Sequence, residues 1–217
     1  MKRENTKTFC IGIGLLAAFL LWTVALGLID VQPIGPRESA VGFATMNRLV
    51  HRLTGVHMSL YTITDWLGLV PFGFVLGFGV LGLGQWIKRK RFLKVDHSIL
   101  VLGGFYILVM AAYILFETVV INYRPVLING YLEASYPSST TMLVMCVMPT
   151  AVMQLHSRIK NKTFRWAVTL AIVAFTLFMV IGRLISGVHW CSDIIGGALL
   201  SAGLVMLYRW AVRLKNN

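Results

Sequence analysis

Arg183, His189 and Asp193 are spaced Arg-x5-His-x3-Asp where two long apolar runs meet, a place that the other charges of the chain mostly avoid. On a helix, His189 and Asp193 fall at i and i+4 on one face. The carboxylate then reaches one imidazole nitrogen and the other is free to attack an electrophile. Arg183 adds a planar, permanently charged fork suited to phosphate oxygens. A second group lies upstream, with Arg124-Pro125 followed by Tyr136-Pro137-Ser138-Ser139-Thr140. Serines after a proline at a helix start present hydroxyls and unpaired backbone N–H groups to an anion. Plain helix capping accounts for the same serines.

The elements that must position these residues are membrane helices. Of 217 residues, 57% are apolar and 13% charged, and the mean hydropathy is +0.76, which no soluble domain matches. Six apolar stretches reach the roughly 20 residues needed to cross a bilayer: residues 9–29, 65–87, 98–121, 138–155, 164–185 and 190–212. The expected fold is all-α, a six-span bundle in one unit without internal repeats. The first stretch is longer than the ~7–15-residue core of a cleavable signal.

The net charge of +12 reflects topology rather than nucleic acid. Lys2, Arg3 and Lys7 precede the first span, and Lys88, Arg89, Lys90, Arg91 and Lys94 follow the second. Arg158, Lys160, Lys162 and Arg165 separate the fourth and fifth, and Arg209, Arg213 and Lys215 close the chain. Placing these fifteen inside leaves only Arg37, Arg48, Arg52, Arg124 and Arg183 outside, as the positive-inside rule requires. Both termini are then cytoplasmic and the candidate site opens on the extracytoplasmic face.

Residues 30–64 form the one sizeable excursion. In it Phe43, Met46, Val50 and Leu53 recur at helical spacing while Asn47, Arg48, His51 and Arg52 fall mostly elsewhere, which predicts an amphipathic helix along the outer interface between spans 1 and 2. Gly73, Gly77, Gly79, Gly82 and Gly84, and Gly196, Gly197, Ser201 and Gly203, predict close helix approach. Cys10, Cys146 and Cys191 fit no pairing or metal spacing and read as buried free thiols.

With Arg124-Pro125, Pro137-Ser138 and Arg183-x5-His189-x3-Asp193 in that order, the chain resembles the type 2 phosphatidic acid phosphatase (PAP2) superfamily of membrane lipid phosphatases over roughly residues 60–210. That family carries Lys-x6-Arg-Pro, Pro-Ser-Gly-His and Ser-Arg-x5-His-x3-Asp. The resemblance implies one PAP2-like membrane domain over residues 1–217. It implies that His189 attacks phosphorus, Asp193 orients and charges the ring, Arg124 and Arg183 hold equatorial oxygens, and Ser138, with Ser139 and Thr140 beside it, meets the phosphate. No metal or cofactor is expected, and the sequence offers no carboxylate cluster to bind magnesium. The expected partners are a lipid phosphate and the bilayer.

Three positions depart from the family pattern. Glu117 stands where the family has lysine, a like charge for a phosphate unless it is protonated or paired with Arg124. Gly182 replaces the serine before Arg183. Thr140 stands where the family has the histidine that protonates the leaving group. General acid catalysis contributes about 10²–10⁴-fold, and an alkoxide needs that proton far more than a lipid phosphate does. The expected substrate is therefore an undecaprenyl-type diphosphate in the cell envelope rather than phosphatidate. His51 or His57 could supply the proton if their segment folds over the site. A non-hydrolytic lipid-phosphate binder or transporter, and a phosphotransferase to a sugar or lipid headgroup, stay open alternatives.

Overall fold

The computed structural model describes residues 2–214, apart from the side chain of residue 2; Lys215 lies outside them. Among the described residues there are eight α-helices, two single 3-10 turns and three isolated β-bridges. The helices are α1 (Lys2–Leu28), α2 (Ala44–Thr54), α3 (Met58–Leu67), α4 (Leu69–Arg89), α5 (His97–Thr118), α6 (Ser139–His156), α7 (Lys162–Ile185) and α8 (Cys191–Arg213).

Among the described residues, five stretches are long and apolar enough to cross a membrane: α1, α3 with α4, α5, α7 and α8. The second begins at Met58, earlier than the expected residue 65. Its first turns carry Tyr61, Thr62, Thr64 and Asp65, a polarity that hides a span from a hydropathy reading. The stretch is interrupted at Gly68, just before Pro71, which has no N–H to give to the carbonyl of the preceding turn. The expected fourth span, α6, is only 18 residues and diluted by Ser139, Thr140, Thr141, Thr150 and Gln154. It packs among α4, α5, α7 and α8, and with α8 it forms the centre of the bundle.

Small residues tighten that centre. A side chain at Gly203 would run into Leu16 of α1, one at Gly196 into the Tyr136 ring, and one at Gly197 would press on the Ser138 carbonyl. Ser201 donates to the Met142 carbonyl of α6 at 3.2 Å. The α4 glycines do not behave as expected: Gly73, Gly77, Gly79 and Gly84 face open space, and only Gly82 abuts Ile99 of α5. All three cysteines are free, but only Cys146 is buried. Cys10 is exposed and Cys191 half-buried.

The excursion contains α2 at the expected place. It buries Ala44 and Asn47; of the apolar set, Phe43 stacks on Trp22 at 4.6 Å and Met46 and Val50 are half-buried, while Leu53, like neighbouring Leu49, is exposed. Asn47 donates to the Gly42 carbonyl at 2.8 Å and to Ser192 Oγ at 2.9 Å, and accepts from Ser192 N–H at 3.0 Å. The excursion is thereby tied to the first turn of α8.

Candidate active site

A small hairpin between α5 and α6 sets the first half of the site. Its turn is Asn129-Gly130, both at positive φ (50° and 83°), between Ile128 and Tyr131, which exchange two backbone hydrogen bonds. This is the two-residue turn that an Asn-Gly pair favours. Farther down, Arg124 N–H donates to the Glu133 carbonyl at 3.1 Å and Ser135 N–H to the Asn122 carbonyl at 2.9 Å. Pro125, unable to donate, lies in the first arm, where the chain takes four steps from Arg124 to Ile128 against two from Tyr131 to Glu133. The hairpin therefore delivers Arg124, Asn122 and Ser135 to one place.

The α7–α8 connection sets the second half. Gly187, at φ 68°, turns the chain after Ser186, and a side chain there would collide with the Gly55 carbonyl of the excursion. His57 N–H donates to the Ser186 carbonyl at 2.9 Å, closing the excursion onto this loop. His189 consequently precedes α8 instead of lying on it. Asp193 sits in the first turn of α8, where its Oδ2 accepts from Trp190 N–H at 2.8 Å.

That placement corrects the i, i+4 expectation. His189 Nδ1 and Asp193 Oδ2 are 3.9 Å apart, beyond hydrogen-bond reach. Ser135 spans the gap, its Oγ 3.0 Å from His189 Nδ1 and donating to Asp193 Oδ2 at 2.5 Å. Asp193 Oδ1 accepts from Asn122 Nδ2 at 3.3 Å. On the other side of the ring, Nε2 faces Arg124 Nη1 at 3.3 Å and Arg183 Nη2 at 3.1 Å. Two guanidinium groups from separate hairpins thus converge on one imidazole nitrogen.

All six of these side chains are buried, with Arg183 1% and Asp193 0% exposed. Arg183 is stacked under Tyr61 at 4.9 Å from the ring centroid, reaches Thr64 Oγ1 at 3.4 Å and lies 3.8 Å from Asp65 Oδ1. Arg124 Nε stands 3.1 Å from Glu133 Oε2, out of line for a hydrogen bond. The Nε–H groups of both arginines are buried without a hydrogen-bond partner. Two like charges aimed at one point, with donors to spare, make a site for an anion. Burial, then Arg124, then Arg183, push the His189 pKa well below its ordinary value of 6.5, so the ring is neutral at neutral pH.

The other expected site residues lie close by with different partners. Ser138 is fully buried at the N-cap of α6, where its Oγ accepts from Thr141 N–H at 3.4 Å and its own N–H donates to the Asp193 carbonyl at 3.1 Å. Ser139 and Thr140 occupy the first turn of α6, half-buried. Glu117, at the end of α5, is exposed and forms no ion pair among the described residues. The carboxylate beside Arg124 is Glu133. The excursion does fold against the site loop, but His51 Nε2 is engaged by the Gly187 carbonyl at 3.2 Å and His57 Nε2 by the Thr54 carbonyl at 2.8 Å.

Ser135, Asn122, Glu133, Tyr61, Thr64 and Asp65 were not singled out in the sequence. The Asn129-Gly130 pair marks the turn, but a regular register from it sets Ser135 opposite Arg124; only the two extra residues of the first arm bring Asn122 opposite Ser135. Two larger cavities, of about 990 and 600 Å³, lie at the other end of the bundle and between α4 and α5, away from this cluster.

A model of the PAP2 superfamily matches residues 96–216, more than half of the chain. The fold is similar to that of a crystal structure described as the first transmembrane PAP2 type phosphatidylglycerolphosphate phosphatase from Bacillus subtilis. The two share 20% identity and a TM-score of 0.58 over 91% of this chain and 94% of that one. At that identity the likeness is one of fold. No curated protein matches the chain by sequence.

Proposed function

This chain belongs to the PAP2 superfamily, and on that premise we propose that it is an integral-membrane lipid phosphatase acting on an undecaprenyl-type diphosphate through a phosphohistidine. The observation that carries the reading is the convergence of two buried guanidinium groups on His189 Nε2. A terminal phosphoryl group drawn in by Arg124 and Arg183 takes over their N–H donors and brings phosphorus to the nitrogen lone pair. The N–P bond forms as the bond to the bridging oxygen breaks, and the lipid monophosphate leaves with that electron pair. Water then cleaves the N–P bond, releasing inorganic phosphate. Charge that spreads over the equatorial oxygens is met by the arginines, in the role a metal ion has in many phosphotransferases.

The neutral ring is the form that can attack. Thr140, where the family has its proton donor, favours a leaving group that departs without one, and a lipid phosphate is such a group. Ser138 to Thr140, at the N-terminus of α6, form the side of the site facing the bridging oxygen. The charge asymmetry of the sequence supports an extracytoplasmic site in the cell membrane. On this reading α6 is the sixth crossing, and α2 lies along the outer surface with Leu49 and Leu53 toward lipid. Glu133 beside Arg124 and the unfilled acid position favour a second reading, a binder of the same lipid that does not hydrolyse it.

The test is phosphate release by detergent-purified protein from undecaprenyl diphosphate, undecaprenyl monophosphate and phosphatidate, with His189→Ala as control. Release confined to the diphosphate and lost in His189→Ala is expected. Thr140→His should then raise monoester turnover while changing diphosphate turnover little. Binding of the diphosphate without release from any substrate establishes the binder, and equal rates on all three overturn the leaving-group assignment.

A further inference from the structure

We infer that Ser135 is a positioning residue for the nucleophile, a hydroxyl inserted between Asp193 and His189 that links the Nδ1 side of the ring to the carboxylate and holds the ring in place. The inference rests on the phosphatase reading for its kinetic consequences but not for its geometry. An arginine has N–H donors and no acceptor. With Arg124 Nη1 and Arg183 Nη2 at 3.3 and 3.1 Å from Nε2, that nitrogen can only accept, so its lone pair faces the anion site. The ring is neutral and its single proton is therefore on Nδ1. Nδ1–H donates to Ser135 Oγ at 3.0 Å, and Ser135 O–H donates to Asp193 Oδ2 at 2.5 Å.

The Ser135 backbone also lies beside the ring and favours its protonated form, so the hydroxyl adds the link to Asp193 and is not the sole neighbour of Nδ1. Asp193 is held as acceptor by Trp190 N–H and by Asn122 Nδ2, so it cannot turn away from the serine without losing both. The site is fully buried, and a donor on Nδ1 left without partner would be expensive. With 3.9 Å between Nδ1 and Oδ2, the carboxylate alone does not reach the ring. Ser135 is itself placed by the hairpin through its N–H to the Asn122 carbonyl, so one element supplies both the anion-binding Arg124 and the ring-positioning hydroxyl.

The same row serves the reaction. When Nε2 bonds to phosphorus the ring becomes cationic and Nδ1–H more acidic. The Ser135 hydroxyl, polarised by Asp193, strengthens its bond to that proton without moving it. When water cleaves the N–P bond, the electron pair returns to Nε2 and the neutral Nδ1–H form is restored with no tautomer exchange.

Two measurements on full-length protein test this. The first is turnover of undecaprenyl diphosphate by wild type, Ser135→Ala and Ser135→Thr. Ser135→Ala is expected to lower kcat by roughly 10–100-fold with KM little changed, the scale seen when a residue orienting a reacting histidine or ligand is removed. Ser135→Thr, which keeps the hydroxyl, is expected to recover most of it. The second is the ¹⁵N-histidine spectrum at pH 7, with the His189 signals identified by their absence in His189→Ala. Both proteins should show the Nδ1–H tautomer that the arginines impose, with the Nδ1 signals shifted in Ser135→Ala, where the hydroxyl acceptor is lost. A Ser135→Ala enzyme within twofold of wild type whose Nδ1 signals are unchanged overturns the proposal. If wild type releases no phosphate at all, the phosphatase reading fails and the spectrum alone decides for or against the serine.

Discussion

A buried imidazole flanked by two guanidinium groups gives up its proton at a lower pH than a free one, which has a consequence for the pH dependence of this protein. The folded-state pKa of His189 is depressed by burial, Arg124 and Arg183. Its contribution to stability is therefore present above the unfolded value near 6.5 and is lost as pH falls through the folded value. His189 stays unprotonated over the same range, as the proposed attack on phosphorus requires. Arg124→Gln removes one cause of the depression, so the acid limb of kcat/KM should move up in pH in that variant even as the rate falls. A limb that does not move would mean that the arginine does not act on the ring. Arg124, Arg183, His189 and Asp193 were legible because charges in an apolar chain stand out. Ser135 and Asn122 were not, because serine and asparagine are ordinary loop residues and only the hairpin pairing gives them these partners. The direct His189–Asp193 bond was misread for a related reason: spacing of four residues implies contact only on a helix, and α8 starts two residues after His189.

At the scale of elements, the hairpin between α5 and α6 carries the largest functional burden for its size. Gly130 at φ 83° completes its turn, and a β-branched residue there costs about 1–2 kcal/mol or shifts the arms. Gly130→Val should thus displace Arg124 and Ser135 together. A misplacement on the order of 1 Å lowers turnover by about 10²-fold. Gly130→Asn, which tolerates the left-handed region, should retain most activity, and phosphate release by the two variants compares them directly. Equal activity in Gly130→Val would mean that the arms hold their register without the turn. The spans themselves were legible from length and apolarity, but the second was cut short at residue 65. Tyr61, Thr64 and Asp65 look like loop residues in a hydropathy reading, yet they line the face of α3 that meets Arg183. That polar patch concealed the start of the apolar stretch.

Over the whole molecule, charge divides by end. The site end carries Arg37, Arg48, Arg52, Arg124 and Arg183 against Asp30, Glu38, Asp65, Glu117, Glu133 and Asp193, close to balance. Among the described side chains, the other end gathers thirteen basic residues, from Arg3 to Arg213, against Glu4 and Asp96. In the folded chain Arg89 and Arg158 meet Asp96 where α4 and α6 end and α5 begins, a helix length away from the Arg124–His189–Arg183 cluster. Moving an excess of this size across a bilayer during insertion is unfavourable, so the basic end should stay cytoplasmic. The hairpin turn and the α4–α5 connection report the two ends. In a background with Cys10 and Cys191 replaced by alanine, Asn129→Cys should react with a membrane-impermeant maleimide on intact cells. Arg91→Cys should react only after the membrane is opened. The reverse pattern would turn the bundle over, bring the anion site to the cytoplasm, and leave a lipid diphosphate on the outer leaflet out of reach of His189.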